Sequence, residues 1–106
     1  MPAKKKKPVA RTKEGNVLEK IHKCLKDGRY RDTLHSFQRG IERNIRLAQV
    51  LEVLETGHHE KSKDEYREDY HDWNYSIRGE TILGDQLRVA VYFEDDFLMI
   101  ATVIRL

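Results

Sequence analysis

A chain with a single cysteine, Cys24, can close no internal disulfide and build no cysteine zinc cluster. A secreted disulfide scaffold and a zinc finger are therefore excluded. No apolar run approaches the roughly 20 residues of a membrane-spanning helix, and the Lys-rich start carries no apolar stretch of the kind a signal peptide needs. A cytoplasmic protein without membrane contact is expected. Glycine-rich phosphate loops, Gly-x-Ser-x-Gly elbows, His-Glu-x-x-His and Cys-x-x-Cys spacings are all missing. Nucleotide-dependent and serine-hydrolase chemistry thus have no sequence support. His58 and His59 beside Glu60 do not make a metal site, because neighbouring side chains of an extended segment diverge and no third ligand follows at a usable spacing. Neither metal nor cofactor is expected.

What is present suffices for one small core. Of 106 residues 39% are hydrophobic and 36% charged, with a mean hydropathy of −0.76, and this length fits one compact domain. Charge is unevenly placed. The chain is +2 overall, but residues 1 to 13 hold Lys4, Lys5, Lys6, Lys7, Arg11 and Lys13 without an acid, giving +6 and leaving −4 for the rest. Residues 1 to 13 read as a basic, disordered tail able to hold polyanions by counterion release. Residues 14 to 106 read as the folded domain.

Val17, Ile21 and Leu25, with Leu18 and Cys24, recur at helical spacing and predict a helix from about Glu14 to Asp27, stopped by Gly28. Arg29 to Asp32 reads as a linker, and Thr33 as the N-cap of a second helix with a Leu34, Phe37, Ile41 stripe, ending near Asn44. Ile45 to Glu55 predicts a third helix, with Gly57 as a left-handed cap. From His58 the pattern changes to a short strand at His58 to Lys61, an irregular acidic loop to about Asp72, and three strands at Trp73 to Leu83, Gln86 to Phe93 and Phe97 to Ile104. Leu87, Val89 and Val91 alternate with Arg88, Ala90 and Tyr92, as on a strand with one buried face. The last run is apolar on nearly both sides, which suits a central strand. The fold class is α+β, with N-terminal helices packed on a C-terminal antiparallel β-meander.

His35, Arg39 and Arg43 recur every four residues, which at about 100° per residue places them along one side of the second helix. A phosphodiester reaction uses such a set: an imidazole titrating near neutrality to move a proton, and guanidinium donors to hold phosphate oxygens. The competing reading is a solvated flank paired with Glu42 and Glu52. In the meander, Tyr75, Arg78, Arg88, Tyr92, Thr102 and Arg105 form a second set; Arg88 and Tyr92 share a face, whereas Tyr75 and Arg78 point to opposite ones. Tyr66, Tyr70 and Trp73 could stack on bases, but the surrounding acids suit a basic protein partner better.

The segment His35 to Ile45, the helix Val50 to Gly57 and the ending Ile100 to Arg105 together resemble a bacterial domain family of unassigned function. Its pattern is a helical His-x-x-x-Arg, a helix ending in Gly, and a last strand carrying Ile-x-Thr or Ile-Thr. The likeness covers Thr33 to Arg105, and the family looks akin to the RelE-like, BrnT-like and MqsR-like toxins. That resemblance implies a metal-independent endoribonuclease of a toxin-antitoxin system, cleaving messenger RNA by 2′-hydroxyl attack and silenced by an antitoxin partner. The pattern falls on His35, Arg39 and Thr102 as catalytic residues; chemistry and position add Arg43 and Tyr75, with Arg78, Arg88, Arg105 and Lys4 to Lys7 as RNA contacts. Two other readings remain open: a non-catalytic interaction module on the same fold, and an accessory protein that binds nucleic acid through its tail.

Overall fold

The computed structural model describes residues 13–33 and 44–106. Helix α1 spans Val17–Lys26 and α2 spans Leu47–Thr56; strands β1 Tyr30–Asp32, β2 His58–His59, β3 Glu65–Arg67, β4 Asp72–Glu80, β5 Gln86–Glu94 and β6 Phe97–Arg105 complete it, with a 3-10 turn at Lys61–Lys63. The architecture is α+β. The sheet runs β1-β6-β5-β4-β2, and β3 pairs with β4 beyond β2.

α1 begins three residues later than its apolar spacing predicts. The Glu14 N–H is spent on the Tyr75 hydroxyl at 2.8 Å, so the chain is tied to β4 and can turn helical only after Asn16, whose carbonyl accepts from Lys20 N–H. At the other end Gly28 takes φ +71, and Gly28 and Arg29 donate back to Leu25 and Cys24. That is the left-handed stop expected of a glycine there.

Three expectations need correction. Arg29 to Asp32 is not merely a linker: Tyr30, Arg31 and Asp32 pair in parallel with Leu98, Met99 and Ile100. The sheet is therefore mixed, and a strand stands where a linker was expected. The acidic loop is also partly ordered, since Glu65, Tyr66 and Arg67 pair antiparallel with Asn74, Trp73 and Asp72, and the edge-to-face Tyr66 and Trp73 rings lie 5.5 Å apart. Finally, Gly57 is extended at φ −78, not left-handed. Glycine serves there for space: an added Cβ would lie 2.5 Å from the Arg78 carbonyl oxygen and 2.6 Å from that of Val53. The second expected helix, with its Thr33 cap, lies outside the described residues beyond Thr33 itself, whose N–H continues the β1 ladder to Ile100 O.

The core lies between the helices and one face of the sheet. Val17, Ile21 and Cys24 of α1 and Val50, Val53 and Leu54 of α2 meet Tyr75, Ile77, Leu87, Val89, Val91, Phe93, Leu98, Ile100 and Val103. In β5 the alternation is as expected. β6 breaks it: Ala90 pairs with Thr102 but Val91 with Ile100, so Ala101 is an extra residue in a β-bulge. The bulge reverses parity. Val103 thereby joins Leu98 and Ile100 in the core, and Thr102 moves to the opposite face.

Candidate functional site

That opposite face carries the polar residues of the sheet. Across it run two rows set by the register: His58, Arg78, Arg88 and Ile104 in one, and Ser76, Ala90 and Thr102 in the next. Both described helices lie on the other side. Two arginines directly opposite on neighbouring strands repel unless an anion separates them. Glu60 supplies it. Its N–H bonds Ser76 O, continuing β2 along β4, and its carboxylate accepts from Arg88 Nε at 2.7 Å while Arg78 Nη1 lies 3.6 Å away. The Arg88 hydrogen bond, opposed by some desolvation and aided by both arginine charges, holds the Glu60 carboxyl below its ordinary pKa. The result is an anionic carboxylate clasped by two guanidinium groups, beside an exposed imidazole at His58.

The remaining residues singled out from sequence fall in several places. Tyr75 is 2% exposed and packs in the core; burial raises its pKa, and its hydroxyl accepts from Glu14. Arg78 takes the opposite face, so the two are not brought together. Thr102 shares the face of Arg78 and Arg88 because of the bulge. Arg105 lies at the far end of β6, with Asp85 at 3.6 Å and Asn44 O at 3.4 Å. His35, Arg39, Arg43 and Lys4 to Lys7 lie outside the described residues.

A second polar cluster escaped the sequence reading. The Asp64 side chain is 1% exposed, yet it is well partnered: it accepts from Ser76 N–H at 2.9 Å, meets His59 Nε2 at 2.8 Å and lies 2.9 Å from Lys13 Nζ. His59, in register with Ile77, points toward the core and sets its ring edge-on to Tyr75 at 5.9 Å. The acid run held no sign of this. Asp64 differs from Glu65, Glu68 and Asp69 only because the 3-10 turn folds it back onto β4. With Tyr75 it pins the chain to β4 at Lys13 and Glu14. His58 and His59 diverge as expected, and among the described residues no three His, Cys, Asp or Glu side chains gather to hold a metal ion.

Among the described residues no helix is long and apolar enough to cross a membrane. No curated protein and no solved structure matches the chain. A domain family of unknown function, DUF4258, matches residues 33–105, a span that takes in α2 and strands β2 to β6 but leaves α1 and β1 before it. The outer-face residues Glu60, Arg78, Arg88 and Thr102 fall inside that match, and on it the chain is a member of the DUF4258 family.

Proposed function

We propose that this protein is a toxin-like endoribonuclease that cleaves messenger RNA without a metal, and that the scissile phosphate sits on the outer face of the sheet. The observation that carries the reading is the clasp of Glu60 by Arg78 and Arg88. A phosphodiester offers the two guanidinium groups what the carboxylate now supplies, a single negative charge spread over two oxygens that their forked donors can bind. Exchange of partners frees Glu60, whose pKa then rises toward that of an ordinary carboxylate and equips it as a general base. In the reaction Glu60 accepts the proton of the ribose 2′-hydroxyl and the 2′-oxygen attacks the adjacent phosphorus. The bond from phosphorus to the 5′-oxygen breaks, and an imidazolium gives that oxygen its proton. Products are a 2′,3′-cyclic phosphate and a 5′-hydroxyl.

His58, in register with Arg78, is the imidazole that the described geometry offers; His35, with Arg39 and Arg43, is the one the sequence pattern offers. Thr102 stands one row away to position an oxygen. Tyr75, held in the core, serves as a prop. The proposal includes a cognate antitoxin that covers this face with acidic side chains. The test is incubation with single-stranded RNA in EDTA, beside a substrate carrying one 2′-deoxyribose at the cleaved position. Cyclic phosphate ends, absent from the deoxy substrate, support the reading, and cleavage of both substrates removes it. Comparing His58→Ala with His35→Ala then assigns the proton donor.

One observation favours a non-catalytic interaction module. Ile82 and Leu83, at the β4–β5 turn, are 88% and 79% exposed. An apolar tip of this kind is what a partner protein covers. This reading expects no RNA cleavage by the wild type.

A further inference from the structure

Four residues along β5 from Arg88, on the same face, Tyr92 lies beneath Tyr70, with the rings 12° from parallel and their centroids 6.1 Å apart. Tyr70 is 61% exposed. The two tyrosines border a cavity of about 150 Å³ that Trp73, Asn74, Arg67 and Glu94 help to line. The Arg67 guanidinium carbon stands 5.2 Å from the centre of the Tyr70 ring. This volume is well under the roughly 300 Å³ at which ordinary small-molecule pockets begin. It suits one flat ring.

From this geometry we infer that the cavity is a subsite for a single guanine base of single-stranded RNA. Stacking against aromatic rings and an arginine plane is how unpaired bases are held. The polar rim chooses among them. Glu94 and the Asn74 amide oxygen offer acceptors, which match the adjacent N1–H and N2–H donors of guanine, whereas uracil and cytosine each present a single donor group on that edge. Burial, and after it the Glu94 and Tyr70 side chains, keep the Tyr92 phenol above its ordinary pKa, so it remains a neutral stacking ring. Four strand residues span about 13 Å, a distance an extended strand covers within a dinucleotide. The subsite rests on the nuclease reading for its substrate class, and it adds the base that fixes where the strand is cut.

Trp73 is the chain's single tryptophan and borders the cavity, so its emission reports occupancy without any cleavage. Guanosine 5′-monophosphate should change that emission saturably, with uridine and cytidine 5′-monophosphates binding about tenfold more weakly. Tyr70→Ala should weaken all three, and Glu94→Gln should remove the guanosine preference while leaving stacking. An identical response to ribose 5-phosphate, equal affinity for all three nucleotides, or no saturable change overturns the subsite. RNA cleavage by a protein whose Trp73 ignores guanosine monophosphate sinks the subsite and leaves the nuclease reading standing; guanosine binding without cleavage does the reverse.

Discussion

Arg78 and Arg88 face each other across β4 and β5, and both reach the single carboxylate of Glu60, at 3.6 and 2.7 Å. Their proximity is tolerable only while an anion lies between them. The Glu60 pKa is lowered, so its stabilising effect is complete above the ordinary glutamate value of about 4.3 and is lost as pH falls through the lowered one. Glu60→Gln should be less stable than wild type at pH 7, and the gap in Tm should narrow as pH falls below the ordinary glutamate value and close once it has passed the lowered one, where both side chains are neutral. A gap that stays constant down to pH 3 contradicts the clasp.

Asp64 is the buried anion that joins β4 to the N-terminal segment. Its loss leaves the Ser76 N–H, His59 and Lys13 without their acceptor. Asp64→Ala should cost about 3 kcal/mol, the scale for breaking a buried charged contact by removing one partner. Denaturant unfolding measures it, and a loss under about 0.5 kcal/mol, the scale of an ordinary surface substitution, would count against the network.

Gly57 and Gly79 lie where α2 passes over β4, and the Cβ of an alanine at 79 would come within 3.0 Å of the Gly57 Cα. The greater crowding is at 57, against two backbone carbonyl oxygens that cannot rotate away. Gly57→Ala should cost about 1 to 3 kcal/mol as overpacking, and Gly79→Ala less. Thermal unfolding of the two variants gives the order, and the reverse order contradicts this packing.

Tyr75→Phe separates a prop from a reacting group. The variant loses one hydrogen bond, to the Glu14 N–H, which should lower stability by about 1 kcal/mol and leave RNA cleavage unchanged. A large fall in cleavage rate with little loss of stability would return Tyr75 to the chemistry.

The elements with strong local periodicity were legible in the sequence. α1, α2 and strands β4 to β6 follow from apolar spacing and turn residues because each buries its own stripe. β1 was not, since Tyr30, Arg31 and Asp32 carry no alternation of their own and are a strand only because β6 offers an edge. The bulge at Ala101 was equally hidden: Leu98 to Ile104 is apolar on both sides, so no pattern marks the parity change that moves Thr102 to the outer face. The candidate site was legible in part. Arg78, Arg88 and Thr102 were named from the sequence, but their organiser Glu60 was not, because its role arises from the continuation of β2 beside Ser76.

The central claim is that Arg88 holds the phosphate whose bond is broken. The rate of single-stranded RNA cleavage in EDTA by wild type and Arg88→Ala, with folding verified by circular dichroism, tests it most directly. Loss of one such transition-state donor predicts a fall in rate of about a hundredfold. Equal rates, or no cleavage by the wild type, contradict it.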